Sequence, residues 1–375
     1  MSLEDSGQEP EANQLPLDPR VTPELFREWR SPRFGHLNPQ RMNNPVWEWL
    51  IRSKLSAYMA NQQFGGPDAM EAGPAWCFDR FGQSSKQLTD GRIVLIAGEH
   101  EDHYDPDFYI YNDVVVLHPD GKIDVFGYPR ESFPPTDFHS ATLVDNRIII
   151  IGCLGYPDDR KPGSTPVFVL DLESFGVSSV QTFGVSPGWI HRHGARLTDD
   201  GASIVIRRGE LDRGGKNTSL VENIDDWKLH LGDWRWERLT ERRWPRWEVI
   251  RKDRKPNHLW EIGQAVWSQS VGWKKEFQQQ IEHLKRALGA QPDLNLMTKL
   301  FNPAIPHAVL PKIKDFHNVH KIEIDGVTVR YVETHHSVQM TVEGELPPPT
   351  IEALASDLTC KISALENAPV ELNQL

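Results

Sequence analysis

Residues 137–152 read Asp137-Phe138-His139-Ser140-Ala141-Thr142-Leu143-Val144-Asp145-Asn146-Arg147-Ile148-Ile149-Ile150-Ile151-Gly152. Two short apolar runs flank an Asp-Asn pair, the signature of a β-hairpin with a tight turn. The second run is four consecutive isoleucines closed by glycine. Such a run suits a strand buried on both faces.

The same pattern occurs on both sides of this stretch. Upstream stand Arg80-Phe81-Gly82-Gln83-Ser84, Thr89-Asp90-Gly91-Arg92, the run Ile93 to Ala97, and Gly98. Downstream stand His191-Arg192-His193-Gly194-Ala195, Thr198-Asp199-Asp200-Gly201, the run Ser203 to Ile206, and Gly209. Gln83, His139 and His193 share a column, at separations of 56 and 54 residues. A repeat of that period is one supersecondary unit that buries its apolar faces by stacking on its neighbours. Each unit continues with a polar loop and a second strand, at Asp113 to Leu117, Val167 to Leu170 and Asp226 to Leu229. A closing strand is clear in two units, at Lys122 to Phe126 and Trp234 to Leu239.

On these features the segment Arg80 to Thr240 resembles the kelch repeat. They are the Gly/His-Ser column, the Asp-Gly-Arg strand entry, the glycine after the strand, and Asn112 to Gly121. The kelch double glycine is reduced to Ala97-Gly98, Gly152-Cys153 and Arg208-Gly209. The resemblance implies a mainly β fold, a kelch-like β-propeller. Three blades are recognisable, and flanking segments or a second chain (a homodimer) would complete the ring. The expected organisation is a disordered leader over 1–20, a helical segment over 21–75, the kelch-like core over 76–270, a helix and linker over 271–311, and a β-β-β-α unit over 312–375. Within the core, His258 to Ile262 reads as one strand of a degenerate fourth blade.

Composition narrows the function classes. The chain has 375 residues and a net charge of −12, with mean hydropathy −0.51. It has no apolar run long enough to span a membrane and no secretory h-region at its start. Cys77, Cys153 and Cys360 are isolated, so neither a disulfide framework nor a cysteine zinc site is expected, and a reducing, cytoplasmic setting follows. The one basic cluster, Glu241 to Lys255, is too small against the acidic total for a nucleic-acid surface. Nine of the 13 tryptophans fall between Trp189 and Trp273, which marks ordered, packed chain.

Three loops follow the inner strands and should emerge on one face, where a rigid scaffold concentrates function. The first, Glu99-His100-Glu101-Asp102-His103-Tyr104-Asp105-Pro106-Asp107, crowds carboxylates and imidazoles. Such donors hold divalent metals, with Glu99, His103 and Asp105 the candidate ligands; otherwise it is a solvated charged loop. The equivalent loops carry Asp158 and Arg160, and Glu210 and Arg213. His191 and His193, two apart on a strand, would face one way and are candidate acid/base groups. His139 and His193, being in the repeat column, should instead hydrogen-bond a neighbouring blade's backbone. No phosphate-binding glycine loop and no Gly-x-Ser-x-Gly motif is present. Two functions remain: a module presenting its loops to a protein or peptide, favoured as basic by the charge balance, or a metal-dependent enzyme built on the Glu99–Asp107 loop.

Overall fold

The computed structural model describes residues 18–67, 69–101, 108–214, 220–311 and 318–375. Residues 1–17 of the expected leader, and His103, Asp105 and Asp107 of the candidate metal loop, lie outside them. The chain divides into two compact units. The first runs to Gly214 and resumes at Glu222–Glu241; the second holds Gly215–Val221 and Arg242–Leu375. Residues 242–270, grouped with the core from sequence, therefore belong to the second unit.

Three four- or five-stranded antiparallel sheets form the first unit, together with two small pairings, Glu99–His100 with Tyr109–Ile110 and Trp189–His191 with Glu210–Asp212. In the first sheet the strand order is Gln40–Arg41, Ile123–Gly127, Val114–Leu117, Ile93–Ile96, Ser84–Gln87. The second runs Val177–Ser179, Val167–Asp171, Arg147–Ile151, Ser140–Val144, and the third Gly194–Leu197, Ser203–Arg207, Trp227–His230, Arg235–Arg238. The turn residues permit these hairpins. Asp145 takes φ +52° and Gly91 takes φ +87°, the left-handed region that primed turns require.

The four isoleucines explain the stack. All are fully buried. Ile148 and Ile150 pack with Val94, Ile96, Val114 and Val116 of the first sheet. Ile149 and Ile151 pack with Ile204, Ile206, Trp227 and Leu229 of the third. Alternation on one strand thus supplies two cores, so the sequence shows no polar beat.

The two outer faces of the stack are covered differently. Val115, Ile123 and Val125 of the first sheet pack against Trp47, Trp49 and Leu50, on helix Pro45–Ser53. That helix is capped by Asn44, whose Oδ1 accepts from Trp47 N at 2.9 Å. The third sheet turns a polar row outward, with ion pairs Lys228–Glu237 (3.0 Å) and Arg207–Asp226 (2.9 Å). A polar outer face is how a stack of repeats ends. The three sheets do not close into a ring among the described residues. Helices thus lie on one outer face and charged side chains on the other.

The second unit is one six-stranded antiparallel sheet, ordered Ala308–Val309, Val319–Ile324, Val327–Glu333, Ser337–Val342, Arg246–Arg251, Val370–Gln374. Leu284 of helix Lys274–Leu288 and Leu354 and Leu358 of helix Pro348–Glu366 pack with Val329 and Met340 of that sheet. The expected β-β-β-α run is present and gains three further strands. The expected strand His258 to Ile262 is instead the start of helix Leu259–Val271. Its buried side comes from Leu259, Ile262 and Ala265, at helical spacing that the five-residue window was too short to reveal. Among the described residues, no helix is long and apolar enough to cross a membrane.

Candidate functional site

The sheet junctions position the site. At the start of each repeat one residue takes positive φ: Gly82 (+63°), Phe138 (+47°) and Arg192 (+54°). Phe138 N donates to Gly82 O at 2.9 Å, and Arg192 N to Phe138 O at 2.8 Å. The next residue makes a side-chain latch. His139 Nε2 lies 2.7 Å from Ser84 Oγ, and His193 Nε2 lies 2.8 Å from Ser140 Oγ. The column histidines thus join sheet to sheet through serine hydroxyls rather than backbone; the backbone bonds belong to the residue before them.

The preceding column holds Phe81, Asp137 and His191, of which Asp137 and His191 are fully buried. Each residue there is tied to the loop that leaves its own sheet. Phe81 bridges Glu99, Leu154 N donates to Asp137 O at 3.1 Å, and His191 pairs in register with Glu210. The loops are then tied to one another. Arg160 Nη1 meets Asp212 Oδ2 at 3.1 Å, and Ile110 N donates to the Tyr156 hydroxyl at 2.9 Å. Described residues of the second loop thus contact those flanking the first and third.

Electrostatics single out four groups there. Asp137 is fully buried; its Oδ1 accepts from Gly155 N at 2.6 Å. It hydrogen-bonds the Glu99 carboxyl. Burial, then the Asp137 charge, push Glu99 up to about 7, so the pair shares a proton near neutrality. Burial likewise raises Asp137 and Glu210. His191 is fully buried, and neither ring nitrogen has a hydrogen-bond partner among the described residues. Its Nε2 stands 3.7 Å from Glu210 Oε2. Burial, then Arg192 and Arg160, lower it to about 3, so it is a neutral imidazole. Arg192 also lies 3.9 Å from Glu210 Oε2.

His191 and His193 do not form a shared site, contrary to the strand-alternation argument. Arg192 at positive φ breaks the strand between them, so one meets Glu210 and the other Ser140. His100 is a buried strand residue whose Nδ1 lies 2.7 Å from Asp79 O. Glu101, Asp158 and Arg213 are exposed. Among the described residues no group of three or more His, Cys, Asp or Glu is arranged to hold a metal. Cys153 is buried with its thiol pushed up by burial, which disfavours a nucleophilic thiolate.

Sequence reasoning missed Asp137 and Arg192. The signal was available: both sit one or two residues before column histidines. No protein-family model matches the chain, and no curated protein matches it.

Proposed function

We propose that the first unit is an open, kelch-like module whose loop face binds a basic segment of a protein or peptide partner. One observation carries the reading. Segments from all three sheets converge on one face and hold the Glu99–Asp137 carboxyl pair, Glu210 and the neutral His191 within it. In sequence, the segment Glu99–Asp107 also carries Glu101, Asp102, Asp105 and Asp107 and contains no lysine or arginine. A cation approaching this face meets a carboxylate field that is partly desolvated and therefore strong. The rigid stack beneath fixes the loops, which limits the ordering cost of binding.

The test is fluorescence anisotropy of the full chain with a labelled lysine- and arginine-rich peptide, against an acidic peptide of equal length. The basic peptide should bind with strong salt dependence, and the acidic one should not bind. Glu99→Gln with Glu210→Gln should weaken it by about tenfold or more, since a charge-assisted hydrogen bond contributes roughly 1.5–3 kcal/mol. Equal binding of both peptides would refute the proposal. So would stoichiometric divalent metal in the purified protein together with metal-dependent turnover.

A further inference from the structure

The six-stranded sheet of the second unit has two edges, and they are built differently. At one edge, strand Ala308–Val309 is two residues long and stands between Pro306 and Pro311. A very short strand and nearby prolines are ordinary ways to blunt an edge. At the other edge, Val370–Gln374 runs for five residues with no proline, glycine, lysine or arginine. Its hydrogen bonds show which backbone groups are left over. Leu375 N donates to Arg246 O at 3.1 Å, and Lys252 N donates to Pro369 O at 3.0 Å. Antiparallel bonding alternates along the register in which Val249 opposes Leu372. Glu371 and Asn373 therefore turn their backbone groups toward Arg246–Arg251, while Val370, Leu372 and Gln374 turn theirs outward. Among the described residues no hydrogen bond reaches those outward groups. Side chains alternate as well. Val370 packs against the helix-covered core, so Leu372 lies on that same face, yet it is 39 % exposed. The edge thus offers free donors and acceptors beside an apolar face that stops short, the template for one more strand.

We infer that the added strand is Val370–Gln374 of a second copy of this chain, antiparallel about a two-fold axis at Leu372. The strand is complementary to itself. Backbone bonds form only where outward residues oppose outward residues. The register centred on Leu372 achieves this for all three: Leu372 opposes Leu372, and Val370 opposes Gln374 in both directions. Any shift leaves Val370 or Gln374 unmatched. On the other face Glu371 opposes Asn373. Glu371, the only charge on the strand, already pairs with Arg254 of its own chain at 2.5 Å, so no like charges meet across the axis. A foreign strand would gain the same backbone bonds, but two copies also bring together two exposed leucines and join the two core faces. The contact is isologous, and the blunted Ala308–Val309 edge does not extend it, so assembly closes at two copies.

The experiment is sedimentation equilibrium of the full chain from about 5 µM to about 1 mM. A contact of one short strand per copy is small, so a monomer–dimer equilibrium with a dissociation constant on the order of 10–100 µM is expected. Leu372→Lys places two ammonium groups across the axis and should weaken the dimer at least about tenfold. Leu372→Pro removes an outward N–H that the monomer does not use, and should do the same. Both variants should keep the far-UV circular dichroism of the parent. Mixing Leu372→Lys with Leu372→Glu should restore association at least about fivefold over either alone, because the charges then oppose in sign. Val309→Lys, on the blunted edge, should leave the equilibrium unchanged. A monomer throughout the concentration range, species larger than two copies, or a dimer indifferent to Leu372→Lys would each overturn the inference. Failure of the mixed variants to associate more tightly than either alone would overturn the register centred on Leu372.

Discussion

Replacing His139 with glutamine should make the first unit less sensitive to acid. Burial, the largest cause, lowers the His139 imidazole to about 3 in the fold, against 6.5 for an ordinary histidine. The unfolded chain therefore takes up a proton near pH 6.5 that the folded chain refuses. Stability from the neutral imidazole is fully present above pH 6.5 and is lost as pH falls toward 3. Between pH 8 and pH 5 the loss is about 2 kcal/mol, and this depends little on the exact folded value as long as it lies below about 4. Glutamine does not titrate. At pH 8 the variant should be less stable by about 1 kcal/mol, through weakening of the Ser84 latch of 2.7 Å. At pH 5 the difference should shift by about 2 kcal/mol in favour of the variant. Subtraction is essential, because Glu99, with its raised carboxyl, has the opposite sign: acidification through about 7 stabilises the fold. The assay is native-state hydrogen exchange at the Arg147–Ile151 amides, which reports on the first unit whatever the second does. An energy difference equal at pH 5 and pH 8 would show that His139 titrates normally in the fold and would refute the latch as a neutral, buried contact.

Three further outcomes follow from the packing. Gly152→Ala should destabilise the first unit by about 3 kcal/mol or more in urea melts, because a Cβ would stand 2.2 Å from Ile190 O at a residue with φ +69°. Asp113→Asn should cost about 3–5 kcal/mol by the same measurement: it leaves the fully buried Arg80 guanidinium, paired at 2.5 Å and 3.4 Å above the Tyr111 ring, without its counter-charge. Ile149→Ala, between the second and third sheets, should cost about 2–5 kcal/mol, whereas Val205→Ala on the outward polar row should cost less than about 1. Similar losses at both positions would contradict the third sheet as the end of the stack.

How much of this was legible beforehand follows from the range of the interactions. The repeat could be read because strand period, turn chemistry and the glycine after each inner strand are local properties. The Asp145-Asn146 turn and the Ile148–Ile151 run appear in the structure as the sequence implied. The helix at Leu259 was misread because five apolar-rich residues fit a strand and a helix equally well, and only the packing of Leu259, Ile262 and Ala265 distinguishes them. The candidate loops were found by composition, yet the groups with the most perturbed chemistry were partly elsewhere. Asp137 is raised by burial, which the tertiary packing alone creates, and it in turn helps raise Glu99, 38 residues earlier in the chain.

What the sequence determined alone is the β-repeat, its three-fold occurrence, its hairpin turns and the acidic character of the loop after Ile93–Ile96. What only the tertiary structure decided is where the repeat stops and which polar groups lose their water. The third sheet ends the stack because its outward row is charged and solvated, and the first because three buried valines and isoleucines meet the helices Pro45–Ser53 and Ala57–Phe64. His191 and His193 read alike along the chain. A single positive φ at Arg192 sends one to a carboxylate and the other to a serine, because a strand's alternation holds only while its backbone stays extended.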